Sequence, residues 1–254
     1  MTDAPASEIS DTAPKVALLM TRPLEASQRF VAHLPPDVKA QFEVIYAPLM
    51  QIRPLKAGID LQRYGAVIFT SANGVASAGS APVAMSAFCV GQRTTAAAEQ
   101  AGWQAQFCGG SAAELVIYLC KVRPAAPLLH LHGRHTRGEI AQTLTAAGLP
   151  CDGQVIYEQQ LLSPSDKMKQ KIIEQNAVIV PLFSPRTARH FASLGLDQVN
   201  LSLIALSQAV AAEVKGLHYK DLQVSKTPDA RNMAVMVRDA AVRLAHLEGG
   251  NPAQ

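Results

Sequence analysis

The sequence lacks the features that mark several large protein classes. Aromatic residues make up only 5% of its 254 residues, and the formal net charge is +3. No run of lysine or arginine with interleaved aromatic residues occurs, so we expect no nucleic-acid partner. No apolar stretch approaches the length of a membrane span, so we expect no membrane partner either. Residues 1–14 lack the cationic start and apolar segment of a signal peptide, and we interpret them as a disordered tail of a cytoplasmic protein.

Metal-binding and nucleophile motifs are also missing. The four cysteines form no CxxC pair and lie among apolar neighbours, as reduced core cysteines do. His130, His132 and His135 are close in sequence, but no carboxylate is placed to complete a metal site with them. The phosphate-binding patterns GxxxxGK[ST] and GxGxxG do not occur, and neither does the GxSxG nucleophile motif. We therefore expect no metal, and nucleophilic catalysis has little support.

What the chain does contain is an alternation of short apolar runs, turns and Ala/Leu-rich helical stretches, the order of a parallel α/β sheet. The predicted strands are 15–20, 66–70, 87–90, 127–131, 177–181 and 202–206. The predicted helices are 24–32, 94–101, 112–121, 137–147, 185–193 and 230–244. Hydrophobic residues make up 48% of the chain, an ordinary globular share, and 254 residues suffice for two small domains.

The sequence contains an internal repeat. A strand, an arginine, a helix and a Val-Ile-Tyr stretch follow one another around Arg22 and again around Arg134. Two further pairs repeat the pattern, residues 66–71 with 177–184 and residues 88–102 with 203–216. Self-similarity of this kind predicts two similar domains, which we expect to face each other across a cleft.

The order of the repeats leaves two topologies open. The three repeated segments run A, B, C, A, B, C along the chain. They fit either two contiguous domains or a domain built of B, C and the second A, inserted into another. In the second arrangement the chain crosses between domains near 46–53 and 157–163, and both stretches contain or adjoin proline, as a paired linker would.

Polar residues follow the predicted strands, where open α/β sheets bind their ligands. Most of them also begin a helix, whose free N–H groups and positive dipole end attract carboxylates and phosphates. Each hydroxyl or amide also has a simpler interpretation as a helix N-cap. Together they favour an anion-binding cleft. The candidates are Thr21, Arg22, Thr70, Ser71, Ala72, Asn73, Gly91, Thr94, Gly133, Arg134, Ser184 and Pro185.

Tyr157 is the candidate acid. It ends the second Val-Ile-Tyr stretch, where its phenol could donate a proton to a leaving group. The alternative is a tyrosine that only packs its ring, as its counterpart Tyr46 would. For Arg22 and Arg134, the alternative to a ligand contact is an ordinary solvent-exposed arginine at a helix start.

These residues together resemble the uroporphyrinogen-III synthase family over about residues 15–245. The resemblance rests on the order and spacing of short motifs rather than on any one of them. They are Thr21-Arg22-Pro23, residues 68–73 (IFTSAN), Val90-Gly91 with Thr94, Gly133-Arg134 with Arg137 and Leu144, Gly148 before residues 155–157 (VIY), and Phe183-Ser184-Pro185.

The resemblance implies the fold and the boundaries of the domains. It favours the inserted arrangement, an α/β protein of two flavodoxin-like parallel-sheet domains joined by a two-stranded β linker. The first domain would combine 15–47 with 163–246, the second would span 54–156, and 48–53 with 157–162 would form the linker. Residues 247–254 would be a flexible tail. Because ring closure needs mobile domains, we expect the linker to act as a hinge.

The resemblance also implies the activity. Enzymes of this family cyclise hydroxymethylbilane to uroporphyrinogen III, with loss of water and inversion of ring D, and they use neither a metal nor a cofactor. Tyr157 matches the tyrosine proposed to assist departure of the hydroxyl. Thr70, Ser71, Thr94 and Ser184 match hydroxyl positions that line the cleft. The partner would be the small-molecule substrate, with a transient contact to the enzyme that makes it, and the protein would be a monomer.

One segment departs from the family pattern. Where the family has Gly followed by Thr in the last domain, residues 205–210 read ALSQAV, which moves the hydroxyl contact to Ser207 or removes it. The alternative function is a noncatalytic two-domain protein that binds a small anion. A nucleotide-sugar transferase is a third hypothesis, but it would need a longer chain and acidic residues for a metal.

Overall fold

The computed structural model describes residues 16–56, 58–82, 84–135 and 139–249, with side chains up to Leu244. The predicted N-terminal tail and Arg137 lie outside these residues. The chain divides into two compact units. The first combines the described residues up to Gln51 with those from Leu161 onward, and the second is Ile52–Gln160.

Strands and helices alternate through both units. The strands are β1 (Val16–Met20), β2 (Phe42–Tyr46), β3 (Met50–Pro54), β4 (Ala66–Phe69), β5 (Ser86–Cys89), β6 (Gln104–Phe107), β7 (Leu128–Gly133), β8 (Cys151–Leu161), β9 (Val178–Leu182), β10 (Leu201–Ala205) and β11 (Asp221–Val224). The helices are α1 (Leu24–Ala32), α2 (Pro36–Ala40), α3 (Ala72–Ala78), α4 (Gln92–Gln100), α5 (Ala112–Val122), α6 (Ile140–Ala146), α7 (Asp166–Ile173), α8 (Pro185–Ala192), α9 (Gln208–Ala211) and α10 (Ala230–Gly249). A 3-10 turn, Ala212–Val214, follows α9.

The sheet of the first unit is wholly parallel in the described residues. Its strand order is β11-β10-β9-β1-β2, and each neighbouring pair runs in the same direction. In the chain order of the unit this is the flavodoxin order, 2-1-3-4-5. Apolar residues cover both faces, because a parallel sheet carries helices on each side. One face packs on α7, α8 and α9, and the other on α1, α2 and α10.

The second unit repeats this sheet with a different chain order. Its strands follow the order β3-β8-β7-β4-β5-β6, and β8 to β6 pair in parallel. Strands β8, β7, β4, β5 and β6 occupy the places of β2, β1, β9, β10 and β11. Helices α3 and α4 cover one face, and α5 and α6 cover the other. The repeat read from the sequence therefore corresponds to two sheets of the same topology.

The extra strand of the second sheet, β3, runs antiparallel to β8. Leu55 N–H donates to Ile156 O at 2.8 Å, and Leu162 N–H donates to Leu49 O at 2.9 Å. Residue 55 bonds with residue 156, whereas residue 49 bonds with residue 162, so the numbers rise along one strand as they fall along the other, which is the antiparallel pattern. Both strands contain a point at which one unit ends and the other begins. The linker boundaries and the hinge stay predictions.

The predicted elements recur with shifted ends, and several elements were missed. The predicted helix from residue 94 begins at Gln92, with Gly91 at the N-cap at a φ of +79°. The predicted start at residue 137 falls outside the described residues, and α6 is described from Ile140. Helix α10 continues to Gly249, beyond the predicted end at residue 244. Within the described residues, no helix is both long and apolar enough to cross a membrane.

Candidate active site

Tyr157 lies at the carboxyl end of the second unit's sheet. It pairs with Gly133, the last residue of β7, at a register shift between His132 and Gly133. Its ring packs in the core with Phe69 and Leu131, and the residue is 5% exposed. Its ring therefore does pack, as the simpler interpretation of this tyrosine required.

Gly133 makes room for the ring of Tyr157, and Gly74 lies against Leu131 O. A Cβ on Gly133 would lie 2.6 Å from two ring carbons and 3.0 Å from the hydroxyl oxygen. A Cβ on Gly74 would lie 3.2 Å from Leu131 O and 3.9 Å from the ring. Real Cβ atoms are not found 2.6 Å from a carbon, so any other residue at 133 must displace the ring. Gly133 therefore sets the position of the phenol.

The side chain of Ser71 lies beside the hydroxyl of Tyr157. Burial raises the pKa of Tyr157, because the charged phenolate is desolvated, and the polar contact with Ser71 offsets part of that rise. At neutral pH the phenol is therefore protonated, the state in which it can donate to a ligand. Ser71 also caps α3, since its oxygen accepts from Asn73 N–H at 3.2 Å. Ala72 is the first residue of that helix.

The turn after β5 is closed by backbone hydrogen bonds to Gly91. Thr94 N–H and Thr95 N–H both donate to Gly91 O, at 3.0 and 3.1 Å. Thr95 Oγ1 also donates to this oxygen at 3.2 Å. Thr94 is buried at the third position of α4 rather than at its cap. Its role as a binding hydroxyl stays a prediction.

Arg134 is held by a carboxylate that the sequence did not indicate. Its Nε lies 3.2 Å from Glu158 Oε2, and Arg53 Nη1 lies 3.3 Å from Glu158 Oε1. Glu158 directly follows Tyr157 in β8. Two arginines thus share one carboxylate, and the cluster carries a net positive charge at the residue that follows Tyr157 in β8. Both arginine side chains are more than half exposed, so the cluster remains accessible to an anion.

His130 and His132 lie side by side at the end of β7, with ring centroids 4.7 Å apart. His130 is buried, and its Nε2 is 3.4 Å from Thr70 Oγ1. Burial lowers the pKa of His130 to about 3, and the neighbouring His132 adds to this effect. The described residues contain no group of three or more His, Cys, Asp or Glu side chains placed to hold a metal.

The buried His130 predicts an acid-labile fold. The folded-state pKa is about 3 and the ordinary value is 6.5, so stability is complete above pH 6.5 and falls as the pH drops towards 3. A change from pH 8 to pH 5 should lower the free energy of unfolding by about 2 kcal/mol through this group alone. His130→Gln should remove that share of the pH dependence, measured by urea unfolding at both pH values. The exposed His218→Gln should keep the wild-type dependence, and an equal slope in both variants would contradict the prediction.

In the first unit, Thr21 and Arg22 follow β1. Thr21 is 1% exposed, and its Oγ1 has no hydrogen-bond partner. The guanidinium of Arg22 lies over the ring of Phe183 at 4.2 Å from the centroid, a cation–π contact. Phe183 in turn makes an edge contact with Phe30 of α1. Arg22 is therefore fixed to the end of β9 rather than extended into solvent.

The hydroxyls after β9 and β10 differ in how they are used. Ser184 caps α8: its oxygen accepts from Thr187 N–H at 3.2 Å, and its hydroxyl donates to Thr187 Oγ1 at 2.9 Å. Pro185 takes the first helical position, which suits proline because that N–H has no helical partner. Ser207 precedes α9 without a side-chain cap hydrogen bond. Ser184 thus serves the helix, whereas the Ser207 hydroxyl is not used for capping.

The structure brings the sequence candidates together in two groups. In the second unit, Ser71 and Gly133 each lie beside the Tyr157 side chain, and Arg134 N–H donates to Tyr157 O at 2.9 Å. Thr70 instead contacts His130, and Gly91 with Thr94 belongs to the neighbouring turn. In the first unit, Thr21 and Arg22 lie level with the end of β9 and Ser184. Sequence reasoning missed Arg53 and Glu158. The only signal was the charge of Glu158 directly after Tyr157.

Comparison with known proteins identifies the family. The family profile described as uroporphyrinogen-III synthase HemD matches residues 36–234, more than three quarters of the chain. The chain belongs to the uroporphyrinogen-III synthase family. Enzymes of this family are cyclising lyases of tetrapyrrole biosynthesis, and that is the function of this chain, with a small-molecule tetrapyrrole as substrate. No curated protein matches the sequence significantly.

A solved structure of a uroporphyrinogen-III synthase shares the fold. The enzyme from Helicobacter pylori is 13% identical, with a TM-score of 0.62 over 89% of this chain and 99% of that one. A mutant enzyme from Thermus thermophilus is also 13% identical, with a TM-score of 0.45 over 90% of this chain and 99% of that one. The wild-type Thermus enzyme is 14% identical, with a TM-score of 0.37 over 92% and 99%. The Helicobacter match confirms the two-domain α/β fold class.

Proposed function

We propose that this chain converts hydroxymethylbilane to uroporphyrinogen III, with Tyr157 as the acid that assists departure of the terminal hydroxyl. The observation that supports this role is the placement of the Tyr157 phenol. It is protonated at neutral pH, lies beside the Ser71 side chain and is held over Gly133 at the carboxyl end of a parallel sheet. That end is where sheets of this kind bind ligands.

In this reaction Tyr157 donates one proton at the first step and takes one back at the last, so the protons balance. The phenol gives its proton to the hydroxyl, which leaves as water while the adjacent pyrrole nitrogen keeps its own proton and supplies the electron pair that forms an azafulvenium cation. The substituted carbon of ring D attacks this cation and forms the spiro intermediate. The bond between that carbon and the methylene bridge to ring C then breaks, and the bridge, now the cationic carbon, bonds to the free carbon of ring D. The proton lost from that carbon at the last step restores the phenol.

Selectivity requires little energy from the protein. The substrate supplies the electrophile and the nucleophile, so the protein has to hold the chain curled with the substituted carbon nearest the azafulvenium cation. Favouring the rearranged isomer a hundredfold takes about 2.7 kcal/mol of differential barrier. A few contacts of ordinary strength supply that amount.

Substrate carboxylates are bound in this proposal by polar groups at the carboxyl ends of both sheets. The residues are Thr21, Arg22, Thr70, Ser71, Ala72, Asn73, Gly91, Thr94, Gly133, Arg134, Ser184, Pro185 and Ser207. Support comes from the net positive charge of the Arg53–Glu158–Arg134 cluster at the residue that follows Tyr157. Charge-assisted hydrogen bonds of this kind are stronger than neutral ones.

The proposal extends to the conditions under which the enzyme works. It acts as a cytoplasmic monomer without a metal or cofactor, and without a nucleic-acid or membrane partner. It receives its unstable substrate through a transient contact with the enzyme that makes it. Sedimentation of the purified chain, alone and with that enzyme, tests the monomer and the contact.

The decisive experiment is to incubate the protein with freshly made hydroxymethylbilane and to separate the type I and type III products after oxidation. We expect type III to dominate over the type I product that forms without enzyme. A product that is entirely type I, at the spontaneous rate, would contradict the enzymatic proposal. If the protein nevertheless bound the substrate, the noncatalytic anion-binding function would take its place.

A further inference from the structure

Two buried polar atoms in the described part of the chain have no hydrogen-bond partner. They are Thr21 Oγ1 and Arg186 Nη1. Most buried polar atoms in folded proteins are paired, and an unpaired one calls for an explanation such as a missing ligand. Both belong to the first unit, one directly after β1 and the other in the first turn of α8. The two strands that lead to them, β1 and β9, are neighbours in the sheet.

The side chain of Thr21 faces the layer that contains α8. Ala17 and Leu19 pack with Ala188 of α8, whereas Leu18 and Met20 pack in the core on the opposite face. Backbone pairing continues past the end of β1, since Leu49 N–H donates to Thr21 O at 2.9 Å. Because side chains alternate along a strand, Thr21 falls on the face of Leu19.

Helix α8 begins at the same level of the sheet. The register that pairs Leu18 with Ile179 brings Thr21 level with Leu182, the last residue of β9. Ser184 caps α8, and Arg186 is the second residue of that helix. The positive end of the helix dipole and the first-turn residue Arg186 thus lie at the carboxyl end of β9, on the face towards which Thr21 points.

The neighbouring charged residue of α8 is already occupied. Arg189 forms two hydrogen bonds of 2.7 Å with the carboxylate of Glu213. His190, one turn after Arg186, is 2.8 Å from Leu162 O through its Nε2. Arg186 Nη1, in contrast, is buried without a partner. A desolvated guanidinium N–H without an acceptor is costly, and an anion would supply the acceptor.

We propose that Thr21 and Arg186 form a subsite for one carboxylate of the substrate. The Thr21 hydroxyl and Nη1 of Arg186 donate hydrogen bonds to that carboxylate. The inference rests on the proposed function, which supplies a ligand with eight carboxylates. It adds a binding residue, Arg186, that the family motifs do not indicate. The substrate carboxylate supplies the hydrogen-bond partner that the protein itself does not provide for Thr21 Oγ1 and Arg186 Nη1.

The test compares Arg186→Gln with Arg189→Gln, which removes the same charge from the same helix. Uroporphyrin I, a stable octacarboxylate, is the probe, and its fluorescence reports binding. We expect Arg186→Gln to raise the Kd about tenfold, equivalent to about 1.4 kcal/mol, and Arg189→Gln to change it less than twofold. Thr21→Val should weaken binding about threefold. Equal affinities of the two arginine variants would overturn the subsite.

Stability separates a binding role from a structural one. Arg186→Gln and Thr21→Val remove atoms without hydrogen bonds, so their Tm should be unchanged or higher than that of the wild type. Arg189→Gln loses a bidentate ion pair, so its Tm should fall slightly. If the Tm of Arg186→Gln fell further than that of Arg189→Gln, Arg186 would be a structural residue and the subsite would be wrong.

Activity measurements separate this inference from the proposed function. If the wild type forms type III product and Arg186→Gln has the KM of Arg189→Gln, the subsite fails and the function stands. If the wild type forms only the type I product but uroporphyrin I binding depends on Arg186, the function fails and the carboxylate subsite stands. Competition by sulfate alone, without any effect of Arg186→Gln on uroporphyrin I, would indicate an inorganic anion and overturn the carboxylate assignment.

Discussion

Replacing Tyr157 by phenylalanine should lower the rate of type III product formation by at least an order of magnitude while the protein stays folded. The substitution keeps the packed ring and removes the proton donor. General acid catalysis by a positioned side chain contributes about 10²- to 10⁴-fold, so a loss of this size is expected even if water replaces part of the function. The lost polar contact with Ser71 should cost no more than about 1 kcal/mol of stability.

The measurement is the initial rate of type III formation, with urea unfolding as the check on folding. Tyr46→Phe is the matched control, because Tyr46 holds the equivalent place in the first unit, at the end of β2. We expect the control to retain the wild-type rate. An unchanged rate in Tyr157→Phe would remove this residue from the mechanism.

Gly133→Ala should lower turnover by a similar factor through the displaced ring of Tyr157. The new methyl would meet ring carbons at 2.6 Å, so the phenol has to move away from its place beside Ser71. Forcing extra atoms into a packed core costs about 1–3 kcal/mol, and unit 2 should lose stability by that amount. Gly110→Ala is the control, because a Cβ there meets no atom within 4 Å.

A double variant shows whether Gly133 acts through Tyr157. In the Tyr157→Phe background the ring still clashes with the new methyl, so Gly133→Ala should cost the same stability as before. Its effect on turnover should nearly disappear, because the donor is already gone. A turnover loss of the same size in both backgrounds would show that Gly133 does not act by positioning the phenol.

The central strands of both sheets were predictable because buried strands consist almost entirely of apolar residues. Strands such as β4 and β9 are buried along their whole length and read as continuous apolar runs. Two of the edge strands, β6 and β11, were not predicted. β6 reads QAQF and β11 reads DLQV, and neither is buried, so no apolar run marks them. Their position depends on pairing with β5 and β10, which a local pattern does not encode.

The candidate site was predictable as a set of strand ends, but its contacts were not. The internal repeat indicates Tyr157 and Arg134. The register shift between His132 and Gly133 pairs Tyr157, rather than its neighbour, with Gly133. Such a shift inserts a residue into one strand, and no local pattern signals it. The burial of Arg186 Nη1 without a partner also depends on three-dimensional packing, since an arginine at a helix start is ordinarily solvent-exposed.

The two sheets share one topology although the chain enters them at different strands, so this protein contains its own circular permutation. The order in which a ribosome delivers the strands is therefore not part of what specifies this architecture. New termini cut into a surface loop of unit 1, with the old ones of that unit joined, should consequently leave its strand order intact.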